Sequence, residues 1–219
     1  MGTRRADRPA AVLWDLDGTL VDTEPYWFAA EYRLVESFGN TWSDEHAHAV
    51  VGFDLFDTAS YIIKHGGVDL EPVAVVEYLL DAVIHACQER LPWRPGAREL
   101  LQELHSLGVP CALVTMSWRR FAEAVLAELP ANTFTATVFG DEVTHGKPHP
   151  EPYLKAAALL SVDPRECVAI EDSPTGVASA HAAGCRVLGV PNMKQLNGGD
   201  GIRIIPSLAD VDARSLWTT

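Results

Sequence analysis

The stretch Asp15-Leu16-Asp17-Gly18-Thr19-Leu20-Val21-Asp22 follows an apolar run, residues 10–14, whose composition predicts a buried strand. Because side chains alternate along a strand, Asp15 and Asp17 point the same way and Leu16 points the other. Gly18 then allows the backbone to turn and approach a ligand closely. Two neighbouring carboxylates can bind a hard cation such as Mg²⁺, or serve as nucleophile and general acid/base. Asp-x-Asp alone also suits a strand that ends in a polar turn, but the full stretch favours a functional site.

The remaining chain predicts one α/β core with an all-helical insertion. No strand signal appears between Thr23 and Leu91, whereas apolar strands alternate with helices from Pro95 onward. Such alternation is typical of a parallel sheet covered by helices on both faces, a three-layer arrangement. We therefore assign residues 1–22 and 93–219 to the core and residues 23–92 to a helical cap. The core includes predicted helices at Pro95–Leu107 and Trp118–Leu129 and a predicted strand at Glu166–Ile170.

Further polar groups follow predicted strands, at the edge of a parallel sheet where ligands bind. Thr115-Met116-Ser117 can cradle a phosphate at a helix start, although Ser117 alone also suits a helix cap. Glu171-Asp172 closes another strand and favours a metal role over a capping role. Lys147 lies between Gly146 and Pro148, which predicts a loop position. It is either a solvated cation or a charge clamp for an anion.

These motifs, in this order, resemble those of the haloacid-dehalogenase-like phosphohydrolases, whose first signature has the form DxDGT(L)xD. The resemblance covers roughly Val12 to Leu208 and implies a Rossmann-like core. It implies a phosphatase that forms an aspartyl-phosphate, with Asp15 as nucleophile and Asp17 as general acid/base. It implies Mg²⁺ bound by Asp15, the carbonyl of Asp17 and Asp172, with Glu171 in direct contact or just behind. Thr115 and Lys147 would hold the transferring phosphoryl group, and the substrate-binding set would be Gly18, Met116, Ser117 and Phe53.

The cap resembles that of β-phosphoglucomutase and related sugar-phosphate phosphatases. Phe53 lies in its expected site-facing loop, either as a specificity residue or as ordinary cap core. The mutase alternative needs distal cations for a doubly phosphorylated intermediate, but its two cap cations correspond to Val51 and Leu55. The positions of a further mutase Lys and of a linker His hold Trp118 and Trp27, although Arg119 and Arg120 could substitute. We therefore favour hydrolysis of a small, sugar-like phosphate monoester over a mutase.

Other function classes fit the sequence less well. Asp17 and Asp172 argue against a dehalogenase, which needs neither an acid for an alkoxide nor a Mg²⁺ site. A signalling receiver module also gathers Asp, Thr and Lys on a parallel sheet, but it is about half as long and lacks a helical insertion. His145 and His149 straddle Pro148, and the spacing of the histidines predicts no zinc site.

Composition limits the partners and the setting. The net charge of −13 without clustered Lys or Arg argues against nucleic-acid binding. The four cysteines show no metal or disulfide spacing and suit core thiols in a reducing compartment. Residues 1–9 lack the apolar segment of a signal peptide, and no apolar run is long enough to cross a bilayer. We expect a cytoplasmic monomer that acts on a small molecule and uses no membrane.

Overall fold

A computed structural model describes residues 8–216 of the chain. Residues 1–7, most of the N-terminal segment that lacks the features of a signal peptide, lie outside the described residues. The model shows a six-stranded parallel sheet with strand order β3-β2-β1-β4-β5-β6, which confirms the predicted α/β fold. The strands are β1 Ala11–Trp14, β2 Cys111–Val114, β3 Ala136–Val138, β4 Cys167–Glu171, β5 Arg186–Gly189 and β6 Ile202–Ile204.

The central strands form because their residues are apolar on both faces. Every residue of β1, β2 and β4 is buried, as expected where helices cover a parallel sheet on both sides. Trp14 pairs with Leu113 of β2 and Ile170 of β4. The three strands therefore end level with one another, and Asp15, Val114 and Glu171 lie side by side at the carboxyl edge.

Four helices of the sheet unit connect its strands: α5 Ala97–Ser106, α6 Arg119–Ala127, α7 Glu151–Leu160 and α8 Pro174–Ala182. Helix α7 packs against β1, β2 and β3, while α8 packs against β4 and β5. Both starts predicted for α5 and α6 are too early. Gly96 has a left-handed φ of +81° and Trp118 is extended, so neither belongs to the helix that follows it.

The segment from Thr23 to Leu91 contains helices and no strand, as predicted. Its helices are α1 Glu24–Ser37, α2 Asp44–Ala49, α3 Leu55–Gly66 and α4 Pro72–Glu89. Helix α4 packs against α1 and α3 and buries an apolar stripe that includes Val76, Leu80 and Val83. One acidic side chain, Glu31 of α1, lies within this interior at 3% exposure.

The chain divides into two compact units, Met1–Asp22 with Pro92–Thr219, and Thr23–Leu91. Within the sheet unit, hydrogen bonds join the segment that follows β1 to the segment that precedes α5. Val21 pairs with Trp93 in an antiparallel bridge, and the Asp22 N–H donates to the carbonyl of Pro92 at 2.8 Å. Within residues 8–216 no helix is both long and apolar enough to span a membrane. The cysteines are buried and free of disulfides.

Candidate active site

Asp15 occupies the carboxyl edge of the sheet, directly after β1. Its backbone N–H continues the ladder to β4 by donating to the Ile170 carbonyl at 3.1 Å. The residue is 7% exposed, so its carboxylate is largely removed from water. A buried carboxylate needs a compensating partner, because burial of an unpaired charge is costly.

Lys147 supplies that partner from a loop that lies far away in sequence. Its Nζ donates to Asp15 Oδ1 at 2.7 Å, to Glu171 Oε1 at 2.5 Å and to the carbonyl of Val114 at 2.9 Å. Burial alone would lower the pKa of Lys147, but the carboxylates of Asp15 and Glu171 raise it above the ordinary value. The loop lysine is therefore a charged clamp between two acids, and the solvated alternative is wrong.

Met116 lies beside the Lys147 loop. Its Sδ accepts the Lys147 N–H at 3.3 Å, and a Cβ added to Gly146 would lie 2.9 Å from the same sulfur. The Met116 side chain thus packs under the loop and holds the backbone of Lys147. The side chain of this predicted substrate-binding residue contacts the lysine loop, and any substrate contact by Met116 stays a prediction.

Ser117 orients Asp17, and Thr115 in turn holds the backbone of Ser117. The Ser117 hydroxyl donates to Asp17 Oδ2 at 2.5 Å, and the Ser117 N–H donates to Thr115 Oγ1 at 3.0 Å. Helix α6 begins two residues after Ser117, with Trp118 at the cap position. The helix-cap alternative for Ser117 is therefore wrong, because its hydroxyl is used by the second aspartate of the signature.

Gly18 brings the first turn up against Asp172. Its φ is +83°, and an added Cβ would lie 2.2 Å from Asp172 Oδ2. The position therefore needs glycine both for its backbone conformation and for space. The hydroxyl of Thr19 lies 3.4 Å from Asp172 Oδ1 and donates towards it. Gly18 and Thr19 of the signature thus position the Asp172 carboxylate.

Glu171 differs from its prediction in one respect. It is the last residue of β4 rather than the first residue after it, and its side chain is fully buried. Besides Lys147, Oε1 accepts the Tyr153 hydroxyl at 2.7 Å, while Oε2 accepts the Ser173 hydroxyl at 3.2 Å. A Cβ on Gly176 would overlap this carboxylate at about 2 Å, so the glycine makes room for it.

Three of the predicted metal ligands converge. Asp15, Glu171 and Asp172 each offer a carboxylate oxygen, and these oxygens lie within 4.8 Å of one another. Burial raises the pKa of Asp15 well above its ordinary value, and burial together with the charge of Glu171 raises that of Asp172 to about 7. One lysine does not balance this buried acidic group. An all-oxygen, negatively charged set fits Mg²⁺.

The structure describes two further predicted positions by other contacts. The Asp17 carboxylate engages Ser117, so its predicted metal contact would come from the main-chain carbonyl. Phe53 belongs to the helical unit, where the residue is 49% exposed and its ring centroid lies 6.4 Å from that of Tyr61. Its role in substrate selection stays a prediction.

Comparison with known proteins accounts for this arrangement. A family model for haloacid dehalogenase-like hydrolases matches residues 12–190, most of the 219-residue chain. The chain belongs to the haloacid dehalogenase-like hydrolases. It is 36% identical over 185 residues to hexitol phosphatase A of Escherichia coli, with 81% of each protein covered.

Two other family members extend the comparison. The chain is 33% identical over 189 residues to the bifunctional riboflavin kinase/FMN phosphatase of Arabidopsis thaliana, covering 84% of this chain but spanning only 49% of that longer protein. The crystal structure of CbbY from Rhodobacter sphaeroides in complex with phosphate superimposes with a TM-score of 0.79 at 25% identity, covering 92% and 96% of the two chains. The hydrolase fold thus extends over nearly the whole molecule.

Sequence reasoning missed the residues that support Glu171 in this hydrolase. Tyr153 of α7 is fully buried, and burial with the adjacent acids raises its pKa, so its hydroxyl stays a donor. The Ser173 hydroxyl caps α8 by accepting the Gly176 N–H at 3.0 Å. It also bonds Glu171. The available signal was an acid at the end of an apolar strand, which requires buried donors but does not say which.

Proposed function

We propose that the chain is a Mg²⁺-dependent phosphatase that hydrolyses a small, sugar-like phosphate monoester through a covalent aspartyl-phosphate. The observation that carries the proposal is the Lys147 ammonium clamped between Asp15 and Glu171, beside an Asp17 held by Ser117. Relatives that are named as phosphatases of hexitols and of phosphorylated carbohydrates support the substrate class.

Asp15 is the proposed nucleophile. Lys147 holds Oδ1, and we assign the attack on phosphorus to Oδ2, which points the other way from the same carboxylate. A bond forms between this oxygen and phosphorus while the bond from phosphorus to the ester oxygen breaks. The clamp fixes the carboxylate before the reaction, so little orientational freedom is lost at the barrier.

Asp17 is the proposed proton carrier. The Ser117 hydroxyl donates to Oδ2 and fixes the orientation of this carboxylate, which carries one proton when the ester binds. Asp17 gives this proton to the departing alkoxide, then takes one from the water that attacks the phosphorylated Asp15. The second step releases inorganic phosphate and restores both aspartates, so atoms and protons balance over the cycle.

Asp15, Asp172 and the carbonyl of Asp17 are the proposed Mg²⁺ ligands. The bound ion would neutralise the phosphate charge that otherwise repels a carboxylate nucleophile. Glu171 is the proposed support behind this group, because Lys147, Tyr153 and Ser173 already occupy its oxygens. Its charge keeps the lysine ammonium in place and balances it.

The phosphoryl group would lie between Lys147 and the turn that follows β2. Thr115 is 1% exposed and its hydroxyl accepts the Ser117 N–H, which shapes this turn. Backbone groups at Met116, Ser117 and Gly18 are the further proposed contacts. Such preorganised donors stabilise charge that develops on a transferring phosphoryl group.

A specific observation favours hydrolysis over the mutase reaction. Arg119, one of two cations that could replace the missing mutase residues, forms ion pairs with Glu123 and Glu142 and lies over the ring of Phe139. Its charge is therefore already balanced by acids of the same unit. The positions of the mutase cap cations hold Val51 and Leu55. A phosphatase needs to hold only one phosphate.

A panel of phosphate monoesters tests the proposal. Hexitol, hexose and nucleotide phosphates are each incubated with and without Mg²⁺, and released phosphate is measured. We expect phosphate release from a small polyol or sugar ester that stops when Mg²⁺ is chelated. A parallel assay adds a trace of hexose bisphosphate to one sugar phosphate isomer. Faster isomer interconversion than phosphate release would identify a mutase instead.

A further inference from the structure

A second cluster of metal-binding side chains lies on the loop that presents Lys147. His145, His149 and Glu151 offer ligand atoms that all lie within 4.8 Å of one another. His145 Nδ1 is 3.0 Å and His149 Nδ1 is 4.0 Å from Glu151 Oε2, and the two imidazole rings are 4.6 Å apart. The spacing in sequence predicts no such site, but the His149 N–H donates to the Gly146 carbonyl at 3.0 Å and closes a turn that brings the rings together.

The carboxylate of this cluster is held in place by the backbone. Glu151 accepts the Thr144 N–H on Oε1 at 2.7 Å and the His145 N–H on Oε2 at 3.0 Å. Oε1 keeps a further lone pair for a cation, whereas Oε2 is also hydrogen-bonded to His145 Nδ1 at 3.0 Å, a bond that a bound cation would replace. The two histidines are more than half exposed, at 62% and 51% of their side chains, so a metal can reach them from solvent.

The donor set differs in kind from that of the candidate Mg²⁺ site. Asp15 and Asp172 provide only oxygen, whereas this cluster provides two imidazole nitrogens and one carboxylate oxygen. Imidazole favours borderline divalent metals such as Zn²⁺ over Mg²⁺. We propose that His145, His149 and Glu151 bind one Zn²⁺-like cation, with water completing the tetrahedron.

Binding has a defined cost in this geometry. Ligand atoms of a tetrahedral zinc site are about 3.4 Å apart, given bond lengths of about 2.0–2.1 Å. The His149 ring therefore moves slightly towards Glu151. Its Nδ1 also gives up the 3.2 Å hydrogen bond that it accepts from the Glu151 N–H. The bound cation joins residues 145 and 149, which lie on either side of Lys147.

Zinc titration calorimetry with excess Mg²⁺ present tests the site directly. Excess Mg²⁺ competes with zinc for the acidic group at the sheet edge, and zinc binding that the histidine variants abolish reports the nitrogen-containing cluster. The variants are His145→Gln, His149→Gln and the double variant, with His105→Gln as the matched control because His105 is an exposed histidine on α5. We expect one zinc per chain, at least tenfold weaker binding in each single variant, no binding in the double variant and no change in the control.

Histidine ring signals in NMR spectra provide a second measurement that does not depend on enzyme activity. Zinc should shift the ring protons of His145 and His149 before those of the other histidines. Unchanged zinc affinity in the double variant would overturn the proposal. So would the absence of zinc-dependent shifts at these two rings. Neither result affects the proposed phosphatase, whose residues lie in the other group.

Discussion

Each compact unit buries one glutamate, but the surroundings of the two differ. Glu171 of the sheet unit is fully buried and bonds Lys147, Tyr153 and Ser173. Glu31 of the helical unit is 3% exposed and accepts the Nε1–H of Trp42 at 3.1 Å. Within residues 8–216, no cation pairs with Glu31, whereas a lysine lies directly against Glu171.

The different surroundings give the buried acids of the two units different roles. Burial raises the pKa of Glu31 to about 8, so it is largely protonated at neutral pH and behaves as a polar core residue. In the sheet unit burial also raises the pKa of Asp15 and of Asp172, but the Lys147 ammonium opposes this rise at both and forms ion pairs with Asp15 and Glu171. A fold keeps such a costly arrangement where charge is needed, which is the general signature of a functional site.

The largest effect should come from replacing the proposed nucleophile. Asp15→Asn keeps the shape of the side chain but cannot form the covalent intermediate, so kcat should fall on the order of 10⁴-fold or more. Glu31→Gln makes the same acid-to-amide change in the helical unit and should retain activity. Steady-state kinetics on a substrate found in the ester panel measures both. Substantial turnover by Asp15→Asn would show that Asp15 is not the nucleophile.

Removing the counter-charge of the sheet unit should be the next largest effect. Lys147→Met leaves Asp15 and Glu171 buried without a cation and should lower the free energy of unfolding by about 3–5 kcal/mol. Lys155→Met is the control, because Lys155 is partly exposed, its ion pair with Glu142 is loose at 4.0 Å, and water can replace its 2.7 Å hydrogen bond to the Glu142 carbonyl. It should cost about 1 kcal/mol or less. Urea denaturation measures both, and equal losses would contradict a buried charge network.

The next largest effect is a pH dependence of the free energy of unfolding that comes from Glu31. Its raised pKa means that the folded chain binds the proton more tightly than the unfolded chain. Stability is therefore lost as pH rises from the ordinary carboxyl pKa towards about 8. Glu31→Gln keeps an acceptor for Trp42 and avoids this loss.

The advantage of Glu31→Gln over the natural chain should grow by roughly 2–3 kcal/mol between about pH 6 and pH 9. Denaturation midpoints of the two proteins at both pH values provide the measurement. Glu36→Gln, an exposed change on the same helix, should follow the natural chain. A constant difference across the pH range would mean that Glu31 is ionised in the folded state.

The smallest effect concerns the backbone beneath Asp172. Gly18 and Gly108 both have left-handed φ values, +83° and +66°, but only Gly18 has neighbours within 4 Å of an added Cβ. Gly108→Ala should cost about 1 kcal/mol from backbone strain. Gly18→Ala should cost about 1 kcal/mol more, because the methyl group displaces the Asp172 carboxylate. Thermal unfolding of the two variants separates the cost of backbone strain from the cost of displacing Asp172. Equal costs would show that the Asp172 carboxylate moves aside freely.

Much of the site could be predicted from sequence. Asp15, Lys147, Glu171 and Asp172 all lie where the predicted strands and loops place them, apart from the one-residue extension of β4 through Glu171. Parallel strands deliver their carboxyl ends to one edge, so strand ends far apart in sequence are neighbours in space. The α/β core and the helical insertion follow from hydrophobic periodicity in the same way.

The sequence by itself therefore determined the class of fold and the residues gathered at the sheet edge, because periodicity and strand order are properties of the chain alone. Only the tertiary structure decided that Ser117 donates to Asp17, that Tyr153 and Ser173 donate to Glu171, and that His145 and His149 lie beside Glu151. These contacts depend on strand register, turn geometry and side-chain rotamers. The contacts of Ser117 and Tyr153 join different elements, and those of Ser173 and of the two histidines depend on the geometry of one turn, so the residue pattern alone does not predict them.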